Sequence, residues 1–163
     1  MRIYINGATG FIGSHIVNEL ISRDYELVCQ KRLQSKPKIE ILKKPLWVLD
    51  SEKDKIVREL ENCDILIHCA ATGVPPQNIS LKKMIEYNIY LSYNFLIFAF
   101  KRGIKNFFLI GSSYENQLVK QNISSDVSFY AFTKYTLFLM FSAFAKENGI
   151  KLIYCKLPNV YGD

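Results

Sequence analysis

A glycine-rich turn close to the N-terminus constrains the fold more than any other feature of the sequence. Residues 7–13 read GATGFIG; they follow a short apolar run at 2–6 and lead into a segment, 12–22, whose apolar residues recur at helical spacing. Glycines at this spacing let the turn close tightly, bring backbone N–H groups near an anion, and let the helix pack against the strand. We therefore predict that the turn holds the pyrophosphate of a dinucleotide at the positive end of the helix, with a purely structural turn as the alternative.

Strand-like and helix-like segments alternate along the rest of the chain. The further strands are predicted at 26–30, 46–49, 64–70, 106–110 and 151–157, and the helices at 12–22, 51–61, 80–102 and 128–148. Ser51 is expected to cap the second helix and Gly111 to end the fifth strand, with loops at 31–44 and from Gly111 to about residue 126. This alternation predicts an α/β fold with a doubly wound parallel sheet. A length of 163 residues suits a single domain, 1–163.

Composition and charge argue against several classes of function. The net charge is +6, but the basic residues are scattered, so we expect no nucleic-acid partner. Four cysteines without a CxxC pair and two histidines predict neither a disulfide framework nor a metal site. The chain runs from Met1 directly into a strand-like segment, which is not typical of a signal peptide, and a cytoplasmic location is expected.

Residues 129–144, FYAFTKYTLFLMFSAF, are apolar apart from Lys134 and could be a membrane anchor or a buried helix. The uncharged run from 135 to 145 is short of the roughly 20 residues that a bilayer requires. A lysine inside a membrane span would also be costly. We therefore predict a buried helix and no membrane partner.

Tyr130 and Lys134 are four residues apart and are expected on one face of that helix. A buried ammonium beside a phenol stabilises the phenolate, which would lower the pKa of Tyr130 and make the pair suitable for acid–base catalysis. The alternative is that Tyr130 is one more core aromatic.

The order of these motifs resembles the extended short-chain dehydrogenase/reductase family, which includes nucleotide-sugar epimerases, dehydratases and ketoreductases. The matching features, in chain order, are NGATGFIGSH at 6–15, Asp50, HCAA at 68–71, Asn88, Ser112-Ser113, Tyr130 with Lys134, and KLPNVYG at 156–162.

The resemblance implies a Rossmann fold, a nicotinamide cofactor and a nucleotide-sugar substrate. It implies a catalytic set of Ser113, Tyr130 and Lys134, with Ser112 as the fallback for the serine. The cofactor residues that it implies are Gly7, Thr9, Gly10, Phe11, Ile12, Gly13, Lys31, Arg32, Asp50, Cys69, Ala70, Ala71, Asn88, Tyr130, Lys134 and Pro158.

Departures from the family pattern refine the expected function. The second strand ends without a carboxylate, and Lys31 and Arg32 stand where a 2′-phosphate would lie, so we expect NADP to be preferred over NAD. The alternative is that the two cations belong to a solvated basic loop. The Asp-Glu pair of the dehydratases is replaced by Tyr114-Glu115, which leaves a 4-epimerase or a 4-ketoreductase as the expected enzyme. Lys156 replaces the customary arginine. A non-catalytic NADP(H)-binding module or sensor is the alternative.

The family continues beyond the NVYG segment into a smaller substrate-binding region that is absent from this chain, which ends at Asp163. Either the sequence is cut there or the product is a cofactor domain alone. The helices 80–102 and 128–148 carry surplus apolar side chains, and we expect them to form a homodimer interface, the mode usual in the family. Those of the first helix are Tyr90, Tyr93, Phe95, Ile97, Phe98 and Phe100. The alternative is that the absent region covers them.

Overall fold

A computed structural model describes residues 1–73, 79–119 and 128–161. The strands are β1 (Arg2–Asn6), β2 (Glu26–Lys31), β3 (Leu46–Leu49), β4 (Ile65–His68), β5 (Asn106–Ser112) and β6 (Lys151–Leu157). The helices are α1 (Phe11–Ser22), α2 (Lys53–Glu61), α3 (Leu81–Ile85), α4 (Ser92–Lys101), α5 (Asn116–Val119) and α6 (Phe129–Glu147). A π-helical segment, Glu86–Leu91, joins α3 to α4, and a 3₁₀ turn, Ser113–Glu115, lies between β5 and α5.

All strand pairs are parallel, and the described residues form one sheet in the order β3-β2-β1-β4-β5-β6. The chain builds outward from β1 to β3 and then crosses to β4, so the strand order reverses between β1 and β4. The carboxyl ends of all strands meet at one edge, and a crevice forms where the order reverses. The doubly wound parallel sheet predicted from the sequence is confirmed.

The core lies on both faces of the sheet, as the strand period of two requires. Ile3 and Ile5 of β1 pack with Val17 of α1 on one face, whereas Tyr4 packs with Leu66 and Phe141 on the other. The second cluster is the larger and includes side chains of α2, α4 and α6. Parallel strands covered on both faces must be apolar throughout, which explains the continuous hydrophobic runs of the sequence.

Some expected boundaries are wrong. The strand expected at 64–70 spans only Ile65–His68, and two further differences have local reasons. β5 continues through Gly111 to Ser112, because both residues keep pairing with β6, and the 3₁₀ turn and α5 replace the first part of the expected loop. The N-cap of α2 is Glu52 rather than Ser51; the Glu52 carboxylate accepts the Leu49 N–H at 2.7 Å. The remainder of that loop, 120–127, lies outside the described residues.

The helix expected at 80–102 is present but contains the π segment at its centre. Ser80 caps its start, accepting the Lys83 N–H at 3.4 Å. π segments are rare and often accompany functional sites, and this one carries Asn88. Within the described ranges, no helix is long and apolar enough to cross a membrane.

Candidate active site

The glycine turn joins β1 and α1 closely to the end of β4. Gly7 has a φ of +82°, and a Cβ built there would lie 2.4 Å from the Ala70 backbone nitrogen. A Cβ on Gly13 would lie 2.2 Å from the Gly7 carbonyl oxygen. Only glycine fits at these two positions, because any side chain would push the turn away from β4 or α1 away from β1.

The N-terminus of α1 opens onto the crevice. Gly10 is the N-cap and makes no side-chain cap, and both Thr9 and Gly10 line the crevice. The first-turn N–H groups of a helix have no intrahelical partner and carry the positive end of its dipole. Phe11, Ile12 and Gly13 begin this turn, so an anion in the crevice would meet their N–H groups.

The crevice has a volume of about 860 Å³ and contains most of the predicted cofactor residues. Those that line it are Gly7, Thr9, Gly10, Lys31, Arg32, Asp50, Cys69, Ala70 and Ala71. The side chains predicted to act at the nicotinamide end are not among its lining residues: Ser113, Tyr130, Lys134 and Pro158. Asn88 does not line the crevice but hydrogen-bonds to Thr72, which does.

The basic loop between β2 and β3, residues 32–45, borders the crevice. Hydrogen bonds attach this loop to α1, and no sequence pattern indicates them. Ser14 accepts the Lys38 N–H at 3.1 Å; Asn18 donates to the Glu40 carbonyl at 2.8 Å and accepts the Leu42 N–H at 3.1 Å. These bonds hold the loop against the helix. Lys31, at the end of β2, lines the crevice together with Arg32, Ser35, Lys36 and Lys38 of the loop. The Lys31 ammonium lies 5.6 Å from the Trp47 ring centroid, a cation–π contact that fixes part of this border.

His68, at the end of β4, also lines the crevice and is 1% exposed. Neither ring nitrogen has a hydrogen-bond partner among the described residues. Burial, with a smaller contribution from Lys134, lowers the pKa of His68 to about 3, so the ring is neutral. A buried imidazole with both nitrogens unpartnered beside a crevice fits a polar ligand there.

Asn88 connects three segments around the site. Its side chain accepts the Thr72 N–H at 2.7 Å, donates to the Thr72 carbonyl at 2.8 Å, and donates to the Thr133 hydroxyl oxygen at 3.0 Å. Asn88 is 1% exposed, so these bonds are shielded from water. The residue therefore fixes the segment after β4 relative to α6, the role of a structural asparagine.

Tyr130 and Lys134 lie one turn apart on the inner side of α6. Lys134 is 4% exposed, and burial lowers its pKa to about 8, against the opposing effects of Cys69 and Glu115. The Tyr130 ring approaches the segment that follows β4: a Cβ built on Gly73 would lie 3.4 Å from Tyr130 Cδ2. The helix thus brings both side chains towards the crevice edge.

The expected lowering of the Tyr130 pKa is wrong for this structure. Burial of the phenol, followed by the Glu115 carboxylate, raises the pKa of Tyr130. Desolvation disfavours the phenolate, and a nearby negative charge adds to that effect.

Ser113 begins the 3₁₀ turn that packs against α6. Ser112 precedes it as the N-cap, and its hydroxyl oxygen accepts the Tyr114 N–H at 3.3 Å. This cap uses the Ser112 oxygen as an acceptor, and the choice between Ser113 and Ser112 as the serine that acts with Tyr130 stays a prediction.

The KLPNVYG segment is placed only in part. Lys156, which replaces the customary arginine, lies 5.6 Å from the Tyr135 ring centroid and donates to Asn116 Oδ1 at 3.5 Å. Pro158 follows β6 and is exposed. Gly162 lies outside the described residues.

A parallel sheet with this glycine turn at its first strand–helix junction defines a Rossmann-type dinucleotide-binding domain. Three features fit a nicotinamide dinucleotide. They are the first-turn N–H groups of α1, the close approach of the glycine turn to β4, and the ring nitrogens of His68, which have no partner among the described residues. The sequence profile of the NAD dependent epimerase/dehydratase family matches residues 3–163, and the chain belongs to this family.

Relatives of known structure or function differ in their reactions. The chain is 32% identical over 90 residues to a decarboxylating sterol-4-alpha-carboxylate 3-dehydrogenase of Dictyostelium discoideum, a stretch that covers 54% of this chain and 27% of that protein. It is 22% identical to a mouse dTDP-D-glucose 4,6-dehydratase over 99% of this chain and 51% of the other. The structure superposes on UDP-glucose 4-epimerase of Thermotoga maritima, solved with UDP-glucose, with a TM-score of 0.79, 26% identity, and coverage of 99% and 57%. The chain thus spans about half the length of relatives that it matches throughout.

The close approach at Gly13 predicts a large effect of a single methyl group. We expect Gly13→Ala to lower the free energy of unfolding by about 1–3 kcal/mol, because the new Cβ overlaps the Gly7 carbonyl. The control is Gly10→Ala: Gly10 has a φ of −68°, and a Cβ there would be 3.4 Å from the same oxygen, so the cost should stay below about 1 kcal/mol. Urea unfolding measures both, and equal losses would contradict the close approach.

Proposed function

We propose that this chain forms the cofactor-binding and catalytic part of an NAD(P)-dependent nucleotide-sugar oxidoreductase of the 4-epimerase or 4-ketoreductase type. Ser113, Tyr130 and Lys134 are its catalytic set. The observation that carries the proposal is the position of Tyr130 and Lys134 on the inner side of α6, one turn apart, beside the turn that begins with Ser113.

The cofactor supplies the hydride acceptor or donor for a sugar carbon when it is bound. The glycine turn and the start of α1 bind its pyrophosphate, Asp50 contacts the adenosine end, and the small residues 69–71 let the end of β4 approach it closely. Tyr130 exchanges a proton with the sugar oxygen while Ser113 donates a hydrogen bond to that oxygen.

Lys134 supplies the positive charge of the set and holds the nicotinamide ribose. With a pKa of about 8, it is mostly protonated at pH 7 and loses its charge as the pH rises through that value. In the proposed set, Lys134 assists Tyr130 only in its charged form, so proton abstraction by Tyr130 should weaken as the pH rises through this value.

The sequence of the 3₁₀ turn supports epimerisation or reduction over dehydration. Tyr114 stands where the dehydratases carry an aspartic acid, and its side chain is 44% exposed. A phenol is a much weaker acid than a carboxyl group. Related proteins named as a 4-epimerase and a 3-dehydrogenase support hydride transfer as the shared chemistry.

The catalytic role of Tyr130 is tested by removing its hydroxyl. Tyr130→Phe in the protein made from its full reading frame should keep cofactor affinity and lose about 10²–10⁴-fold in turnover, because only the proton transfer is removed. Lys134→Met should weaken both. Tyr135→Phe, one residue after Lys134, is the matched control and should leave turnover unchanged. Turnover is followed at 340 nm with candidate 4-keto sugars. Near-normal turnover in Tyr130→Phe would refute the set; cofactor binding without turnover in the wild type would favour a binding module or sensor.

We propose in addition that NADP(H) is preferred over NAD(H). Asp50 is the only carboxylate that lines the crevice within the described residues, and it stands after β3 rather than at the end of β2. The end of β2 carries Gln30 instead, whose side-chain oxygen accepts the Asn6 amide at 2.9 Å. Arg32 and the lysines of the basic loop remain as partners for a 2′-phosphate.

Removing two of these cations should reduce the preference. A charge-assisted contact is worth about 1.5–3 kcal/mol, so Lys31→Ala/Arg32→Ala should lose roughly tenfold or more of the NADP(H) preference. Lys43→Ala/Lys44→Ala removes the same charge near Asp24, at the opposite edge of the sheet, and is the control. Calorimetry with both cofactors gives the ratio, and equal wild-type affinities would exclude the preference.

Exposed apolar side chains support a homodimer through the two long helical segments. Of the six side chains expected on the first segment, only Tyr90 is exposed, at 64%; the other five pack partly against the core. Other apolar residues of both segments are exposed instead. They are Leu81, Ile85, Phe129, Phe132, Leu139 and Met140; Tyr87 and Leu91 are exposed too but line the crevice. A surface of this kind is typical of an interface.

The dimer is tested by placing charges on α6. Leu139→Glu/Met140→Glu should convert a dimer to a monomer, because a buried unpaired carboxylate at an interface is costly. The control Leu33→Glu/Leu42→Glu adds the same charge on the basic loop, where both side chains are more than 70% exposed. Sedimentation without detergent measures the mass. A wild-type monomer at tens of micromolar would exclude the dimer.

We also propose the cytoplasm as the compartment. All four cysteines, each within the described ranges, are free thiols, and two of them are buried.

A further inference from the structure

The carboxylate of Glu115 is completely buried and joins two strands. Glu115 Oε1 accepts the Ser112 backbone N–H at 2.8 Å, and Oε2 accepts the Tyr154 hydroxyl at 2.5 Å. Its exposed fraction is 0%. A buried carboxylate without partners would be costly, but here each oxygen has a donor.

Tyr154 carries this connection on to α6. Its ring stacks on Phe138 of α6 with 4.0 Å between the ring centroids and 16° between the planes. Gly111 leaves room for the ring, because a Cβ there would lie 2.4 Å from Tyr154 atoms. The carboxylate, Tyr154 and Phe138 therefore link the end of β5 to the helix.

The two segments that Glu115 links carry the proposed catalytic residues: Ser113 follows β5, and Tyr130 and Lys134 lie on α6. Ser112 precedes Ser113, and Phe138 lies one turn after Lys134 on α6. We propose that Glu115 is a positioning residue, which holds the Ser113 turn against α6 through Tyr154 and places its negative charge beside Tyr130 and Lys134. The inference rests on the proposed function, since only that function makes the relative placement of these side chains matter.

The charge has opposite consequences for the two side chains. It favours the protonated ammonium and so raises the pKa of Lys134 against burial, and it also raises the pKa of Tyr130. Glu115, together with the larger effect of Cys69, therefore favours the cationic form of Lys134, while Glu115 adds to burial in making Tyr130 a weaker acid. The other titratable or charged groups of the described residues around the pair are His68, Cys69, Tyr135, Tyr154, Cys155 and Lys156.

The electrostatic part is tested with Glu115→Gln. Glutamine keeps the shape and its oxygen can still accept the Ser112 N–H. Its amide nitrogen would face the Tyr154 hydroxyl and donate to it, so the charge is removed and the direction of that one hydrogen bond is reversed. The Lys134 midpoint, followed by NMR of ¹³C-labelled lysine and assigned by its loss in Lys134→Met, should move downward from about 8. Glu59→Gln is the control: Glu59 is 7% exposed and pairs with Arg2 at 2.6 Å, so its loss should cost stability and leave the Lys134 midpoint in place. An unchanged midpoint in Glu115→Gln would overturn the role.

The positioning part is tested with Tyr154→Phe, which keeps the charge and the ring but removes the hydroxyl. The Ser112 amide should then exchange with deuterium about tenfold faster, because its carboxylate partner is no longer held. Amides of β1 serve as the internal control. An unchanged Ser112 exchange rate would overturn the proposed link from β5 through Glu115 and Tyr154 to α6. If Glu115→Gln does not fold, this exchange measurement is the test of the proposal.

Neither the Lys134 midpoint nor the Ser112 exchange rate requires turnover, so the proposed function and the proposed role of Glu115 can be refuted independently. Normal turnover in Tyr130→Phe would end the proposed function and leave the connection between Glu115 and α6 in place. An unaltered Lys134 midpoint and Ser112 exchange rate would end the role of Glu115 and leave the catalytic set intact.

Discussion

The side chain of Asn88 holds together the segments on which the whole site depends. Its three hydrogen bonds, of 2.7, 2.8 and 3.0 Å, connect the π segment to Thr72 after β4 and to Thr133 of α6. The crevice belongs to the ends of the strands, whereas Tyr130 and Lys134 belong to α6. No strand pairing fixes α6, so its position relative to the crevice depends on side-chain contacts of this kind. The π segment gives Asn88 its place, since one extra residue per turn shifts the direction of the side chains there.

The parts of the fold that follow from local physics were predictable. The bounds of β1, β3 and β6 agree with the segments expected from the sequence. β1 is covered on both faces, which explains its continuous apolar run, whereas β3 and β6 are edge strands with partly exposed side chains. The close backbone contacts at Gly7 and Gly13 were also predictable, because glycines at this spacing are typical of a turn that packs tightly against a strand and a helix. The helical period alone predicts that Tyr130 and Lys134 lie on one face of α6.

The missed features depend on contacts between distant residues. Glu115 and Tyr154 are 39 positions apart and have no shared local pattern, so neither their hydrogen bond nor the extension of β5 through Gly111 could be read from the sequence. The π segment has no compositional signal that distinguishes it from an α-helix. The spacing of Tyr130 and Lys134 predicts a lowered pKa for Tyr130, because the sequence places only the lysine near the phenol. Burial of the phenol and the carboxylate of Glu115, which raise that pKa, follow only from the fold.

The electrostatics of the pair show why a carboxylate at this depth has a cost and a use. Burial opposes both charged forms, the ammonium of Lys134 and the phenolate of Tyr130. One negative charge cannot relieve both: it stabilises the ammonium and destabilises the phenolate. The charge of Glu115 therefore raises both pKa values, which favours the ammonium of Lys134 and disfavours ionisation of Tyr130. A tyrosine in this state gives a proton to a forming alkoxide without needing to be ionised beforehand, since an alkoxide is more basic than a phenolate. In the proposed function, Tyr130 would therefore act from its protonated form, and the reverse direction would require the phenolate that burial and Glu115 disfavour.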